Sequence, residues 1–110
     1  MSNDDPRAAL LDLQVESGPT TVIALAGELD PATAPQLDAE IERVLAEGVV
    51  KRLILDLAKL SFLDSSGLRV FVTAREALTS RGGELVLQRP SANTQRLLDI
   101  TGLGEIISVE

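Results

Sequence analysis

The string Ser61-Phe62-Leu63-Asp64-Ser65-Ser66-Gly67-Leu68 sets two hydroxyls side by side between a carboxylate and a glycine. It follows the strand-like apolar run Leu53-Ile54-Leu55-Asp56-Leu57 and opens a helical pattern containing Leu68, Phe71, Val72 and Leu78. The hydroxyls therefore stand where a strand passes into a helix. A helix start leaves backbone N–H groups without partners and carries partial positive charge, so it favours an anion, phosphate included. Two uses are open to such residues. Asp64 or Ser65 can serve as an ordinary N-cap, the common employment of these residue types. Ser66, or in its place Ser65, can instead accept a phosphoryl group within a protein-binding face.

Other chemistries lack their residues. The chain has 110 residues, with no cysteine and no histidine, which removes disulfides, thiol chemistry, Cys/His zinc sites and histidine-based catalysis. A serine hydrolase would need a Gly-x-Ser-x-Gly elbow and a base; the elbow and a histidine base are both missing, so activation would fall to an unusual Lys or Asp. There is no Gly-x-x-x-x-Gly-Lys phosphate loop. A phospho-aspartate receiver built on Asp56 would need an early acidic pair and a lysine after a late strand. Asp4-Asp5 lies in the polar terminus, and neither Lys51 nor Lys59 follows a late strand. No cofactor is expected.

The formal net charge of −7 and the presence of only two aromatic residues, Phe62 and Phe71, argue against direct nucleic-acid binding. No apolar signal or long apolar span is visible, so a soluble cytoplasmic protein without membrane insertion is expected. The 45% apolar content is mostly aliphatic, which suits a small sheet covered by helices.

The elements that must position the serines follow from periodicity. Residues 1–9 are polar and are expected to form a flexible terminal segment. Leu11, Leu13 and Val15 alternate with Asp12 and Gln14 as a first strand. The Glu16-Ser17-Gly18-Pro19 turn leads into a second strand, Thr21 to Ala26, as an antiparallel hairpin. Asp30 is placed to cap a first helix bearing Leu37, Ile41, Val44 and Leu45 and closed by Gly48. A third strand lies within Val49–Leu57, and the second helix runs to about Ser80. Glu84 to Gln88 form a fourth strand, and Ser91 caps a third helix with Leu97, Leu98 and Ile100 as its apolar stripe. Ile106 to Val109 supply a last edge strand.

The order ββαβαβαβ implies an α/β fold: a mixed, mostly parallel sheet of about five strands with helices mainly on one face. Loops that follow parallel strands share one edge of the sheet. The Gly27–Pro31 and Leu57–Ser66 loops should therefore be neighbours, bringing Asp30 near Asp64, Ser65 and Ser66.

Gly27-Glu28-Leu29-Asp30, Leu53-Ile54-Leu55-Asp56-Leu57 and Phe62-Leu63-Asp64-Ser65-Ser66-Gly67-Leu68, with the late Leu97-Leu98 and Thr101-Gly102-Leu103, resemble the STAS family. Within it they resemble the bacterial anti-sigma factor antagonists, over roughly residues 10 to 110 as one STAS-like domain. The resemblance implies a non-enzymatic regulator whose unphosphorylated form binds an anti-sigma factor serine kinase and frees a sigma factor. Phosphorylation of the Asp-Ser-Ser-Gly string would loosen that complex, and a metal-dependent serine phosphatase would restore it. The acceptor corresponds to Ser66, with Ser65 as the alternative, and Asp30, Asp64, Ser65, Ser66 and Gly67 make up the partner-binding set. STAS-like domains also serve as adaptor subunits of membrane lipid or anion transport systems, and this reading competes with the switch.

Three neighbouring residues keep two readings each. Arg69, one helical turn past Ser66, is either a surface arginine or within reach of a phosphate. Gly67 either admits a kinase active site or relieves crowding at the helix start. Asp56 lies either at the sheet's end near the serines or facing a helix terminus.

Overall fold

The computed structural model describes residues 10–110. The expected flexible segment, residues 1–9, lies outside the described residues. Five strands and three helices follow in the order β1 (Leu11–Glu16), β2 (Thr20–Leu29), α1 (Ala34–Glu47), β3 (Arg52–Leu63), α2 (Ser65–Ser80), β4 (Glu84–Gln88), α3 (Ala92–Thr101) and β5 (Ser108–Val109). A short 3-10 turn, Leu103–Glu105, precedes β5. The sheet order is β1-β2-β3-β4-β5, the same as the chain order. The β1–β2 hairpin is antiparallel and every other pairing is parallel.

Three βαβ crossovers advance in one direction across the sheet, and right-handed crossovers then put the helices on one face. The packing agrees. Leu37, Ile41 and Val44 of α1, Phe71, Ala74 and Leu78 of α2, and Leu98 of α3 join one buried cluster. The strands contribute Ile23, Leu25, Leu53, Leu55, Leu85 and Leu87 to the same cluster. Alternation sends the intervening row, Val22, Ile54 and Val86, to the other face. The core is aliphatic with Phe71 at its centre, as the composition implied.

Two strands are longer than their apolar patterns suggested, and the loops after them are correspondingly shorter. The third strand does not stop at Leu57 but continues to Leu63, paired with β2 from Ala26↔Lys59 through Leu29↔Leu63. Register shifts between Ala24 and Ala26 and between Gly27 and Glu28 break the period of two. Leu60 and Leu63 therefore return to the core after a polar interval that reads as loop. Gly27 sits at this irregularity with φ of 111°, and a Cβ there would overlap the carbonyl oxygen of Leu10. Only glycine fits that crossing of backbones.

Two further expectations are corrected. The N-cap of α1 is Thr33, not Asp30, because Asp30 turns its carboxylate onto its own loop. Ile100 is 72% exposed and lies off the buried stripe of α3, which consists of Thr94 and Leu98, with Leu97 partly buried. Ser91 caps α3 as expected, its hydroxyl accepting from the Thr94 N–H at 3.1 Å.

Candidate functional site

The serines are positioned by the far ends of β2 and β3. Leu29 and Leu63 are register partners, and the Asp64 N–H donates to the Leu29 carbonyl at 3.3 Å. Asp30 and Asp64 are the next residues along their strands, so the pairing delivers both carboxylates to one edge. The Ser61 hydroxyl donates to the Gly27 carbonyl at 3.0 Å and ties β3 to β2 just before that edge.

Asp64 decides where α2 begins. Its backbone is extended, with φ of −129° and ψ of −168°, and its Oδ1 accepts from the Ser66 N–H at 2.9 Å. Its carbonyl receives the Gly67 and Leu68 N–H groups, both at 3.1 Å. The cap is thus Asp64 rather than Ser65, which leaves both hydroxyls uncommitted. Ser65, the first helical residue, is exposed; Ser66, the second, is partly buried. Neither hydroxyl makes a hydrogen bond among the described residues.

Gly67 is buried under the strands. A Cβ there would collide with Leu63 Cδ1 and stand 2.6 Å from Leu29 Cδ2. Of its two readings, the structure supports relief of crowding: the missing side chain lets α2 settle onto the ends of β2 and β3.

Asp30 is held by the loop it starts. Its Oδ1 accepts from the Ala32 N–H at 2.9 Å and the Thr33 N–H at 3.0 Å, an Asx turn. Buried Thr33 locks the arrangement, accepting from the Asp30 N–H at 2.9 Å and donating to the Glu28 carbonyl at 2.8 Å. Sequence reasoning passed over Thr33, although an Asp-Pro-x-Thr string carries the spacing such a turn requires.

A groove of about 400 Å³ lies between α1 and α2 and includes Ser66. Ser66, Arg69, Val70 and Thr73 line one side; Pro31, Ala34, Pro35 and Asp38 line the other. Each set repeats at i, i+3, i+4 and i+7, the spacing of one helical face. The α1 side was not foreseen because its residue types announce no chemistry. Arg69 is exposed and forms no ion pair or hydrogen bond among the described residues.

Asp56 is elsewhere. Between core-facing Leu55 and Leu57, it points to the helix-free face, neither at the serine edge nor toward a helix terminus. It is ion-paired there with Arg89, and its Oδ1 also accepts from the Ala58 N–H at 3.1 Å. The Arg89 guanidinium, followed by that N–H, holds its carboxyl below the ordinary carboxylate value. A second concavity, about 280 Å³, opens beside this pair between Asp12, Gln14, Ala26 and Lys59. Among the described residues no acidic cluster suited to a metal ion occurs.

The family model of the STAS domain matches residues 11–110. The chain belongs to the STAS-domain family. Among its relatives is the anti-sigma-B factor antagonist of Listeria monocytogenes, 44% identical over 89 residues, which are 80% of this chain and 76% of the relative. A solved STAS relative, the anti-sigma factor antagonist SpoIIAA in its unphosphorylated form, superposes with a TM-score of 0.78 at 30% identity. The match covers 91% of this chain and 87% of that one. The phosphorylated form of the Bacillus cell fate determinant SpoIIAA gives 0.71 at 30% identity, over 91% and 90% of the two chains. The STAS relatives named as anti-sigma factor antagonists are regulatory binding proteins, not enzymes.

Proposed function

We propose that this chain is a cytoplasmic anti-sigma factor antagonist, switched by phosphorylation of Ser66. The unmodified form binds an anti-sigma factor that is also a serine kinase, and the sigma factor is released. The kinase then transfers the γ-phosphoryl group of ATP to the Ser66 hydroxyl oxygen; the hydroxyl proton is lost and ADP leaves. The modified protein lets go of the kinase, and a serine phosphatase returns the hydroxyl by hydrolysis. One observation carries the reading: Ser66 stands with an unengaged hydroxyl at an edge that β2 and β3 also supply with Asp30 and Asp64. Ser66 is favoured over Ser65 because it lines the groove between α1 and α2, which gives a partner shape to recognise.

The electrostatics explain how one group can end the complex without refolding the domain. Phosphate adds about −1.5 to −2 charges and three acceptor oxygens. It arrives beside the Asp64 carboxylate on a chain of net charge −7. Burying that group against a partner shaped for a hydroxyl costs about 3–5 kcal/mol, a loss of about a hundredfold or more in affinity. That SpoIIAA has been solved with and without phosphate, both forms resembling this fold, supports a mark written on a rigid surface.

The test is incubation with the cognate anti-sigma factor and ATP, followed by phosphopeptide mapping and affinity measurement. Phosphate on Ser66 and a drop in affinity of about a hundredfold are expected. Ser66→Ala should fold, bind, and resist release by ATP. Equal affinities for the modified and unmodified protein would leave the constitutive adaptor reading in possession.

A further inference from the structure

Phosphate on Ser66 would arrive in a local environment that already contains an anion. Asp64 caps α2 through the Ser66 N–H, so the donor nearest to a phosphate on that side chain is taken. A cation within reach would answer that charge. Arg43 is committed to Glu40 and Glu47, Arg52 to Glu84 and Glu110, and Arg89 to Asp56. Arg75 and Arg81 donate to the carbonyls of Ile106 and Leu45. Arg69, like Lys51, Lys59 and Arg96, has no such engagement among the described residues, and of these four it is the one that lines the same groove as Ser66. Asp38, across the groove on α1, is not within ion-pairing distance of it.

Helix geometry favours the meeting. Residues three apart lie on one face with Cβ atoms about 5–6 Å from each other. Side chains on a helix lean toward its N-terminus, so a long residue at 69 covers the turn that carries 66. A guanidinium fork also fits phosphate oxygens two at a time, which an ammonium cannot do.

Resting on the reading of Ser66 as the acceptor, we propose that Arg69 is a phosphate clamp that draws the phosphoryl group of Ser66 into the groove between α1 and α2. The clamp changes two things at once: the groove loses its free cation and is filled by phosphate. A protein that docks through this groove meets both changes. Arg69 is a positioning residue here, since it acts on the mark and not on the transfer of the phosphoryl group.

The clamp can be tested without any kinase by installing phosphoserine at position 66 of the full chain during synthesis. The probe is the ³¹P resonance of that phosphate, titrated between about pH 5 and 8, around its second ionisation. With Arg69 present the midpoint should lie about half a pH unit lower than in Arg69→Gln, with Arg69→Lys between them. The difference should shrink at 1 M salt, where the Debye length is about 3 Å. Arg69 is exposed, so the Gln variant should fold, and unchanged amide spectra would verify this. Equal midpoints in the Arg and Gln proteins overturn the clamp while leaving the switch at Ser66 standing. Equal partner affinities with and without phosphate overturn the switch, whatever the midpoints show.

Discussion

Gly67 bears no functional group, yet it governs how closely Ser66 and its helix sit on the strands. A methyl group at 67 would press on the tips of Leu29 and Leu63, which can yield only by leaving their packed positions. Gly67→Ala is expected to cost about 1–3 kcal/mol of stability, the usual range for overpacking, read from urea midpoints at unchanged slope. Gly27→Ala should be worse. Its Cβ meets backbone rather than flexible side chain, and its φ of 111° is one that alanine resists. A Gly27→Ala protein as stable as the parent would show that the chain does not pass Leu10 this closely. Asp30 is a different case, because one of its oxygens is already saturated by the Asx turn. Replacing it disturbs the Thr33 loop as well as the surface, so binding data from Asp30 variants need a stability measurement beside them.

At the level of elements, the start of α2 and the start of α3 are built alike, from one side-chain oxygen on an N–H. Asp64→Ala and Ser91→Ala should each lower stability by about 1 kcal/mol, whereas Asp64→Asn, which can still cap, should lose a few tenths at most. The Asn variant thereby separates the cap from the carboxylate in a binding assay. The elements also show what was legible in the sequence. The hairpin, β4 and the Ser91 cap are dictated by residues close to them in the chain, and each was readable. The end of β3 was not, because the register shifts between Ala24 and Glu28 of β2 disrupt a pattern that has to be even to be seen. Nor was the cap of α1, since Asp30 offers one carboxylate to two rival local structures and the Asx turn prevails. The string Asp64-Ser65-Ser66-Gly67 was legible as a strand-to-helix junction. Its groove was not, because Pro31, Ala34, Pro35 and Asp38 matter only through the proximity of α1 to α2, which no local pattern encodes.

For the molecule as a whole, the helix-free face carries an electrostatic dependence separate from the serine edge. Asp56 is paired with Arg89 in the folded chain, and its carboxyl is held below the ordinary carboxylate value. A carboxyl lowered on folding contributes stability that is present above its unfolded value and lost as pH falls through its folded value. The stability gap between the parent protein and Asp56→Asn should therefore close on acidification below about pH 4, and the closing should be followed by denaturant midpoints across that range. A gap that stayed constant with pH would show that the charge of Asp56 contributes nothing to stability. The sheet supplies a further consequence. Its strands stand side by side in the order in which the chain encodes them, and each finds its neighbour across one turn or one helix. During translation, every strand after the first would meet an adjoining strand already made as it clears the ribosome, so the nascent polypeptide can begin to assemble its sheet before synthesis is complete.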